Sequence, residues 1–423
     1  MFYPRIIYLN QYFTVPTVAG GSRAWEFCTR LVRDGCHVNV ICGNSEIKNI
    51  SQTKIIDFYK SYKGKLEVYI LSLNYSNNLN YYQRILVFIS FAFRSSLKIL
   101  AKPKADITFA TSTPLTIAIP ALLRKLLRGT PYVFEVRDLW PEMPIAVKAL
   151  RSPVAIFLAR QLERIAYQNA AHIIALSPGM KEGIIKQGIP AEKIEVIPNA
   201  CDNERFNIPD SVGLQFLSKH PELSGGPLII YTGTLGYING VTYLAYLASY
   251  MMELIPEAKF LVVGSGAYEN EVREVSRKLG IFEKNFWMWS PIPKDEMPAL
   301  LSACTVATSL FLPIPEMENN SANKFFDALA ASRPVVINYG GWQKEILEQY
   351  SAGISIPGND AKTGAKQLAN FLNKPEDIYK ARLAARQLAD TIFDRELLYK
   401  KLAKVFHKVL NQTQINLETS VKV

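Results

Sequence analysis

Short apolar runs alternate with helical patterns along almost the whole of this 423-residue chain. Apolar runs without regular polar interruptions are typical of strands that are buried on both faces of a parallel sheet. Strand and helix in repeated alternation indicate an α/β fold. In the first half we predict strands at 5–9, 38–42, 66–71, 106–110, 132–136, 172–176 and 194–197. In the second half we predict strands at 228–231, 259–263, 285–289, 305–311 and 334–337.

Residues 198–227 interrupt the alternation. Prolines recur through this stretch and two consecutive glycines stand near its end, which indicates a junction between domains. The sequence therefore predicts two Rossmann-like domains, 1–205 and 206–389, that face each other across a cleft. Ligands of such sheets bind beyond the carboxyl ends of the strands, so the residues that follow strands are the candidates for function.

Composition narrows the class of protein. Hydrophobic residues make up 49% of the chain and charged residues 20%, which excludes a disordered chain. The five cysteines form no C-x-x-C pair, so we expect neither a zinc site nor a disulfide framework, and a reducing cytoplasm fits. We expect no signal peptide and no membrane span. The net charge of +11 suits nucleic acid, an anionic membrane or a phosphorylated substrate.

Two charged or flexible loops follow predicted strands in the first half. Gly20 and Gly21 precede a helix, where they would let the backbone approach an anion; an ordinary turn capped by Ser22 is the alternative. Arg137 and Asp138 directly follow the strand at 132–136. They are candidates for catalysis or substrate binding, and a structural contact between the two side chains is the alternative.

The polar run from Glu318 to Ser321 leads into a helix in the second half. Ser321 or Asn320 would cap this helix. Lys324 lies in the first turn, where the helix dipole disfavours a cation, and an anionic ligand such as a diphosphate would resolve that conflict. A solvated turn with an extended lysine is the alternative.

Further candidates for ligand binding surround that helix. Asn323 lies in its first turn, and Asp327 could accept hydrogen bonds from ribose hydroxyls. Glycine loops follow three strands, beginning at Gly233, Gly264 and Gly340. Together they predict a nucleotide that rests across the carboxyl edge of the sheet.

Three segments together resemble the family-4 retaining glycosyltransferases of the two-domain GT-B fold. They are Leu176–Met180, Ile197–Asp202 and Ser321–Pro334. The resemblance implies that the first domain binds the acceptor and the second the nucleotide sugar. It also implies a last helix, at about 390–412, that crosses back to the first domain; we predict a flexible tail at 413–423.

The resemblance implies transfer of a sugar from a nucleoside diphosphate with retention of configuration, and no metal or other cofactor. Lys324 and the helix amides would stabilise the leaving diphosphate. Arg137 and Asp138 would face the donor sugar and the attacking hydroxyl. Of the family's glutamate pair, the first falls on Asn319 with Glu318 beside it, and the second on Asp327. Thr234 and Asn239 stand where the family has a basic pair that contacts the donor.

Within the family, the segments VRDLWPE and NYGGWQKEI are most similar to a bacterial branch that builds O-antigen, capsule or exopolysaccharide. Some of its members act as N-acetylfucosamine transferases. This implies a UDP-linked, N-acetylated amino sugar as donor and a polyprenyl-diphosphate-linked saccharide as acceptor. The expected location is the cytoplasm, at the inner face of the cell membrane.

The positive charge gathers in the first domain. An apolar stretch at 85–93 has basic flanks within 82–104, and a second basic stretch lies at 122–128. This pattern suits an anionic membrane surface; a core helix with a solvated rim is the alternative. We expect no nucleic acid partner, because the basic stretches have neither interleaved exposed aromatic residues nor a known binding motif.

Two other functions remain open at this level. One is a sugar-nucleotide 2-epimerase of similar fold. The other is a non-catalytic protein that binds sugar nucleotides at the membrane, for which the uncharged Thr234 and Asn239 would be the support.

Overall fold

The computed structural model describes residues 4–15, 23–44, 65–73, 79, 81–102 and 104–421. The chain divides into two compact units. The first unit comprises Met1–Pro198 and Leu398–Val423, and the second comprises Asn199–Leu397.

The first unit is built on a parallel sheet. Its strands are β1 Arg5–Leu9, β2 His37–Gly43, β3 Lys65–Leu71, β4 Ile107–Thr111, β5 Tyr132–Val136, β6 His172–Ala175 and β7 Ile194–Val196. Its helices are α1 Arg23–Arg33, α2 Tyr81–Ala101, α3 Ala118–Arg128, α4 Glu142–Ala146, α5 Pro153–Asn169 and α6 Pro178–Lys186. In the described part of the unit the strand order is β3-β2-β1-β4-β5-β6-β7, and each pair is parallel.

Burial explains why the central strands are apolar throughout. Every residue of β4 and of β5 is buried, because helices cover both faces of the sheet. The direction of the chain across the sheet reverses between β1 and β4. In sheets of this kind ligands bind outside the carboxyl ends of the strands at such a reversal, and Arg137 and Asp138 follow the neighbouring strand β5.

Local sequence sets where the helices begin. Ser177 Oγ accepts a hydrogen bond from the Met180 amide at 3.1 Å, and Pro178 occupies the first helical position of α6. Ser152 and Pro153 do the same for α5. A serine cap followed by proline is a strong start signal. The Ser-Pro pair of the 176–180 motif therefore has a structural role in the fold.

The second unit repeats this plan. Its strands are β8 Leu228–Thr232, β9 Lys259–Val263, β10 Phe286–Trp289, β11 Val306–Ser309, β12 Val335–Ile337 and β13 Gly353–Ser355. Its helices are α7 Asn203–Phe206, α8 Asp210–Lys219, α9 Thr242–Leu254, α10 Glu269–Lys278, α11 Met297–Ala303, α12 Asn323–Ala330, α13 Trp342–Tyr350, α14 Ala361–Leu372 and α15 Pro375–Thr391. The strand order is β10-β9-β8-β11-β12-β13, all parallel, so the reversal lies between β8 and β11.

The structure corrects the predicted domain boundary between residues 205 and 206. Residues 199–205 belong to the second unit because hydrogen bonds tie them to the end of α15 and the turn after it. The Cys201 amide donates to the Phe393 carbonyl at 2.8 Å, and Asn203 Nδ2 donates to the Ala389 carbonyl at 2.9 Å. The stretch 198–227, which the sequence indicates as a junction between domains, also contains the helices α7 and α8.

The last helix, α16, spans Arg395–Val421, and from Leu398 onward it is part of the first unit. Tyr399 Oη donates to Asp34 Oδ2 at 2.6 Å, and the Phe406 ring meets Phe109 edge-on at 5.3 Å. The helix continues to Val421, into the stretch 413–423 for which the sequence predicts a flexible tail, and residues 422 and 423 lie outside the described residues. Residues 411–421 contain neither glycine nor proline, so nothing in them stops a helix.

Helix α2 covers most of the stretch 82–104, and the use of this stretch as a membrane surface stays a prediction. The helix buries Phe91 and Ile99 on one side and exposes Phe93 and Leu97 on the other, so it is both a core helix and an apolar surface. None of the described helices combines the length and apolarity that are needed to cross a bilayer.

The second basic stretch, 122–128, is only partly a surface. Arg124 is buried, and its guanidinium donates to the carbonyls of Ile99 and Lys102. Arg124 therefore ties the end of α2 to α3 and is not available to a membrane.

Candidate active site

Lys324 stands in the first turn of α12, beside the end of strand β8. Its ammonium donates a hydrogen bond to Tyr231 Oη at 2.8 Å and lies 4.3 Å from the centre of the same ring. The Phe311 ring lies 5.6 Å away. Burial lowers the pKa of Lys324 to about 7, and in the described part of the chain no carboxylate offsets that desolvation. A cation held in this way is a site for an anion that supplies the missing negative charge.

The glycine loops after β8 and β9 are stacked on each other at the same edge of the sheet. The Gly233 amide donates to the Val263 carbonyl and the Leu235 amide to the Ser265 carbonyl, both at 2.9 Å. A Cβ on Gly264 would lie 1.8 Å from the Gly233 carbonyl oxygen, and a Cβ on Gly233 would lie 3.5 Å from Lys324 Cε. Only glycine allows the two loops to approach each other so closely.

Thr234 and Asn239 have structural contacts in the loop after β8. The Thr234 carbonyl accepts a hydrogen bond from Tyr231 Oη at 2.8 Å, which orients the phenol under Lys324. Asn239 is buried, and its Oδ1 accepts from the Gly236 amide at 3.3 Å. Neither residue brings a charge to this edge, and donor binding by Thr234 and Asn239 stays a prediction.

The start of α12 lacks the cap that the sequence predicted. Ala322 occupies the cap position and no side chain caps the helix, so the predicted cap by Ser321 or Asn320 is wrong. Asn320 Oδ1 instead accepts from the Ala322 amide at 3.0 Å, one residue before the helix. Because a helix cannot satisfy its own first amides, those of Asn323 and Lys324 remain available to an anion.

Asn199 holds the segment that leads into this helix. Its amide donates to Ser321 Oγ at 3.1 Å, and its Nδ2 donates to the Ser321 carbonyl at 2.6 Å. Asn199 lies in the motif Ile197–Asp202, and no role for this residue follows from the sequence alone. Two hydrogen bonds to one residue 122 positions away fix Ser321, and the motif was the signal that could have identified it.

Glu318 packs against the glycine pair that follows β12. A Cβ on Gly340 would lie 2.8 Å from Glu318 Oε1, and a Cβ on Gly341 would lie 2.4 Å from the Glu318 carbonyl oxygen. The glycines therefore make room for this carboxylate. Glu318 is exposed, as a group that meets a substrate must be, and Trp342 Nε1 donates to the neighbouring Asn320 carbonyl at 2.8 Å.

Asp327 lies one turn further along α12, close to another carboxylate. Burial, and then the charge of Asp202, raise the pKa of Asp327 to about 7. Asp202 itself pairs with Arg395 at 3.1 Å and with Arg205 at 3.7 Å. Asp327 is therefore a carboxyl whose negative charge is weakly supported by its surroundings, and its role toward a ribose stays a prediction.

Arg137 and Asp138 occupy the predicted place at the carboxyl end of β5. Thr113 Oγ1 donates to Asp138 Oδ2 at 2.7 Å, and the Arg137 amide donates to Ser112 Oγ at 3.0 Å. Both lie in the described part of the chain and their side chains form no ion pair with each other. The alternative of a structural contact between Arg137 and Asp138 is therefore wrong, and the Arg137 guanidinium remains half-buried.

The sequence patterns do not predict a buried ion pair that lies in the same unit. Arg23, at the start of α1, lies 2.9 Å from Glu135 of β5, and both side chains are buried. Arg23 also donates to the carbonyls of Ile197 and Pro198. This arginine therefore connects the start of α1 to residues 197–198, where the chain leaves the first unit. The predicted ligand residues Gly20 and Gly21, which precede it, lie outside the described residues.

In the described part of the chain, no group of three or more histidine, cysteine, aspartate or glutamate side chains could hold a metal ion. All five cysteines are free and buried.

Comparisons with known proteins agree with this division of the chain. Residues 19–200 match the family model described as "Glycosyl transferase 4-like domain", and residues 215–388 match "Glycosyl transferases group 1". A putative colanic acid biosynthesis glycosyl transferase of Escherichia coli, WcaI, is 24% identical over 251 residues. That match covers 57% of this chain and 60% of the length of WcaI.

Solved structures show the same fold over nearly the full length. HepE of Anabaena, in complex with UDP and glucose, has a TM-score of 0.70 at 16% identity, covering 96% of this chain and 100% of the other. WaaG, a glycosyltransferase involved in lipopolysaccharide biosynthesis, has a TM-score of 0.66 at 15% identity, covering 95% and 99%. The two parallel-sheet units of this chain therefore have the GT-B fold.

Proposed function

This chain joins a glycosyltransferase 4-like domain to a glycosyltransferase group 1 domain, and from this premise we propose that it is a retaining enzyme that moves a sugar from a UDP-linked donor onto a lipid-linked saccharide. One observation carries the proposal. The desolvated ammonium of Lys324 stands beside the uncapped first amides of α12. A donor diphosphate would supply the anion that both lack.

The same groups suit the chemistry of the transfer. As the bond to the sugar breaks, an oxocarbenium-like sugar forms and negative charge grows on the leaving diphosphate. Preorganised donors that face this charge lower the barrier, because they need no reorganisation at the moment of reaction. We assign this role to Lys324 and the amides of Asn323 and Lys324. Glu318 is assigned to the hydroxyls of the donor sugar.

The acceptor side is assigned to the first domain. Asp138, which Thr113 orients through its 2.7 Å hydrogen bond, would align the attacking hydroxyl. Arg137 would bind an anionic or hydroxyl group nearby. We propose that these protein groups stabilise the charge without a metal ion.

The names of two similar proteins bear on the identity of the substrates. HepE was solved with UDP and glucose, and WcaI is named for colanic acid biosynthesis. The branch that the sequence resembles points to an N-acetylated amino sugar, as in N-acetylfucosamine transferases, and to a polyprenyl diphosphate carrier. Such a carrier would place the enzyme at the inner face of the cell membrane, in synthesis of O-antigen, capsule or exopolysaccharide.

Calorimetric titration with UDP-, GDP- and dTDP-sugars tests the donor. We expect a UDP-sugar to bind, and Lys324→Ala to weaken binding by on the order of 10- to 100-fold, which corresponds to one lost charge-assisted contact. Lys366→Ala, at an exposed lysine of α14, is the matched control and should bind normally.

Analysis of the reaction products separates the candidate activities. Release of UDP that depends on an added lipid-linked saccharide supports transfer. An epimerised sugar without any acceptor would instead support the 2-epimerase. Undiminished donor binding in Lys324→Ala would contradict the assigned site.

A further inference from the structure

Three helices of the first unit, α2, α3 and α5, lie side by side on one face of its sheet. Lys125 of α3 donates from Nζ to the Asn169 carbonyl at the end of α5, at 2.7 Å. Arg124 of the same helix donates to the Lys102 carbonyl just after α2, at 2.9 Å. Each helix belongs to a connection that advances across the sheet in the same direction, from β3 to β4, β5 and β6. Right-handed connections of this kind put their helices on a common face.

The outer side of this helix layer is apolar. Phe93 is 65% exposed, Leu126 79% and Phe157 60%. The other large apolar side chains exposed on these helices are Leu86, Ile89, Leu97, Leu127, Val154, Leu158 and Ile165. A single exposed leucine needs no explanation, whereas a set spread over three adjacent helices marks a surface that is covered in use. We call this set the three-helix face.

Cations dominate the charges around the three-helix face; the acidic Glu142 of α4 lies 3.8 Å from Arg160. The exposed cations that surround this face are Arg94, Arg128, Arg151, Arg160 and Arg164. Helices α2 and α3 contain no acidic residue, and Glu163 is the one acidic residue of α5. Glu163 is buried, and burial together with the nearby Glu142 raises its pKa to about 8. At neutral pH the three helices therefore present cations without a countercharge of their own.

We propose that the three-helix face docks on an anionic lipid bilayer. The apolar side chains enter the boundary between headgroups and acyl chains, and the arginines lie at the level of the lipid phosphates. No described helix can cross a bilayer, so the contact lies in the plane of the surface. This proposal rests on the proposed function, which includes a membrane partner, and it assigns the membrane contact to particular residues. It adds α5, which the sequence analysis did not connect with lipid.

Charge also decides between lipid and a second copy of the chain. In a two-fold symmetric dimer the same patch meets itself, so the arginines around the face would approach arginines of the partner. An anionic headgroup layer neutralises the same residues. The cation-rich rim thus favours lipid over self-association.

Vesicle flotation of the full-length chain tests the docking surface. We expect flotation with vesicles of phosphatidylglycerol and phosphatidylcholine, and little with phosphatidylcholine alone. The double variant Phe93→Glu/Phe157→Glu should lower the bound fraction by on the order of tenfold or more. Both side chains are exposed, so the fold should not change. Leu214→Glu, at a 67% exposed leucine of α8 in the second unit, is the matched control and should float like the wild type.

A charge variant tests the second half of the proposal. Arg164→Glu should weaken binding to the anionic vesicles on the order of tenfold, and added salt should reduce the difference. Equal flotation of all variants, or binding that ignores lipid charge, would overturn the proposal. So would a sedimentation mass that doubles in the wild type and falls to the monomer in the double variant, since that result assigns the face to a second copy.

Vesicle binding and donor binding can be tested independently of each other. UDP-sugar titration without vesicles should give the same dissociation constant for the wild type and for Phe93→Glu/Phe157→Glu. If the chain bound vesicles but no nucleotide sugar, the docking surface would stand and the proposed function would fall. If it bound the nucleotide sugar but no vesicle, the reverse would hold.

Discussion

Lys324 has an ordinary position in the sequence and an unusual environment in the fold. Its place in the first turn of a helix, where a cation is disfavoured, can be derived from the residues alone. The contact with the Tyr231 ring at 4.3 Å and the space next to Gly233 cannot be derived from the sequence, because both depend on how β8 packs against α12. Those contacts remove water from the ammonium and lower the pKa of Lys324 to about 7.

The shifted pKa of Lys324 predicts that donor affinity depends on pH. The cationic form is fully present below about pH 7 and is lost as the pH rises through that value, so the affinity for a UDP-sugar should fall by up to tenfold per pH unit above it. Calorimetric titration between about pH 6 and about pH 9 measures this. Lys324→Arg, which stays charged throughout the range, should give a flat profile. The same slope in both proteins would assign the pH dependence to another group.

The raised pKa of Asp327 predicts that the stability of the fold decreases as the pH rises. This pKa is raised from 3.8 to about 7, so between these values the folded protein binds more protons than the unfolded chain. The protonated Asp327 carboxyl therefore contributes to the free energy of unfolding. This contribution is fully present below about pH 4 and is lost as the pH rises through 7. Asp327→Asn removes the charge, and we expect the variant to gain on the order of 2 kcal/mol in the free energy of unfolding at pH 8.

Urea unfolding at pH 5 and at pH 8 measures this gain, which should shrink at the lower pH. Asp295→Asn, at an exposed carboxyl of the same unit, should change little at either pH. A gain of equal size at both pH values would show that the Asp327 charge is not its cause.

At the scale of elements, the carboxyl edge of the second sheet depends on glycine loops that pack closely and are hydrogen-bonded to each other. The loop after β8 and the loop after β9 exchange backbone hydrogen bonds, and Gly264 lies against the Gly233 carbonyl. Their positions after strands were predictable, since Rossmann-like units place ligands there. Their close packing was not, because it depends on the neighbouring strand.

Gly264→Ala should therefore be strongly destabilising. Its Cβ would lie 1.8 Å from the Gly233 carbonyl oxygen, so the backbone of one loop must move. We expect a loss of about 2 kcal/mol or more in the free energy of unfolding, measured in urea. Weaker binding of a UDP-sugar should accompany the loss. Gly225→Ala has a positive φ but open space around the added carbon, and should lose only about 1 kcal/mol. Comparable losses in the two variants would refute the packing argument.

The predicted elements agree best where a long apolar run is buried. The predicted strand at 5–9 is β1, and that at 132–136 is β5. The strand that was not predicted, β13 at Gly353–Ser355, has three residues, and the helices α7 and α8 lie in the proline-rich stretch that the sequence indicates as a junction. The polar composition of these two helices is typical of a loop, and packing against the rest of the unit determines that they are helical.

At the scale of the whole molecule, the first unit is not contiguous in sequence. It ends at Pro198 and resumes at Leu398, where α16 packs on it through Tyr399 and Phe406. The three-helix face is a feature of the same scale. Each of its helices carries a few exposed apolar side chains, and only their adjacency makes a surface of them.

The sequence by itself determined the α/β class, the two-domain plan and the residues that follow the strands. These depend on local hydrophobic patterns and on turn residues, which a single segment contains. The tertiary structure decided the state of Lys324, the role of Asn199 as a brace, the burial of Arg124 and the extent of the three-helix face. Each of these depends on groups distant in the chain, since desolvation and adjacency exist only after the elements have packed.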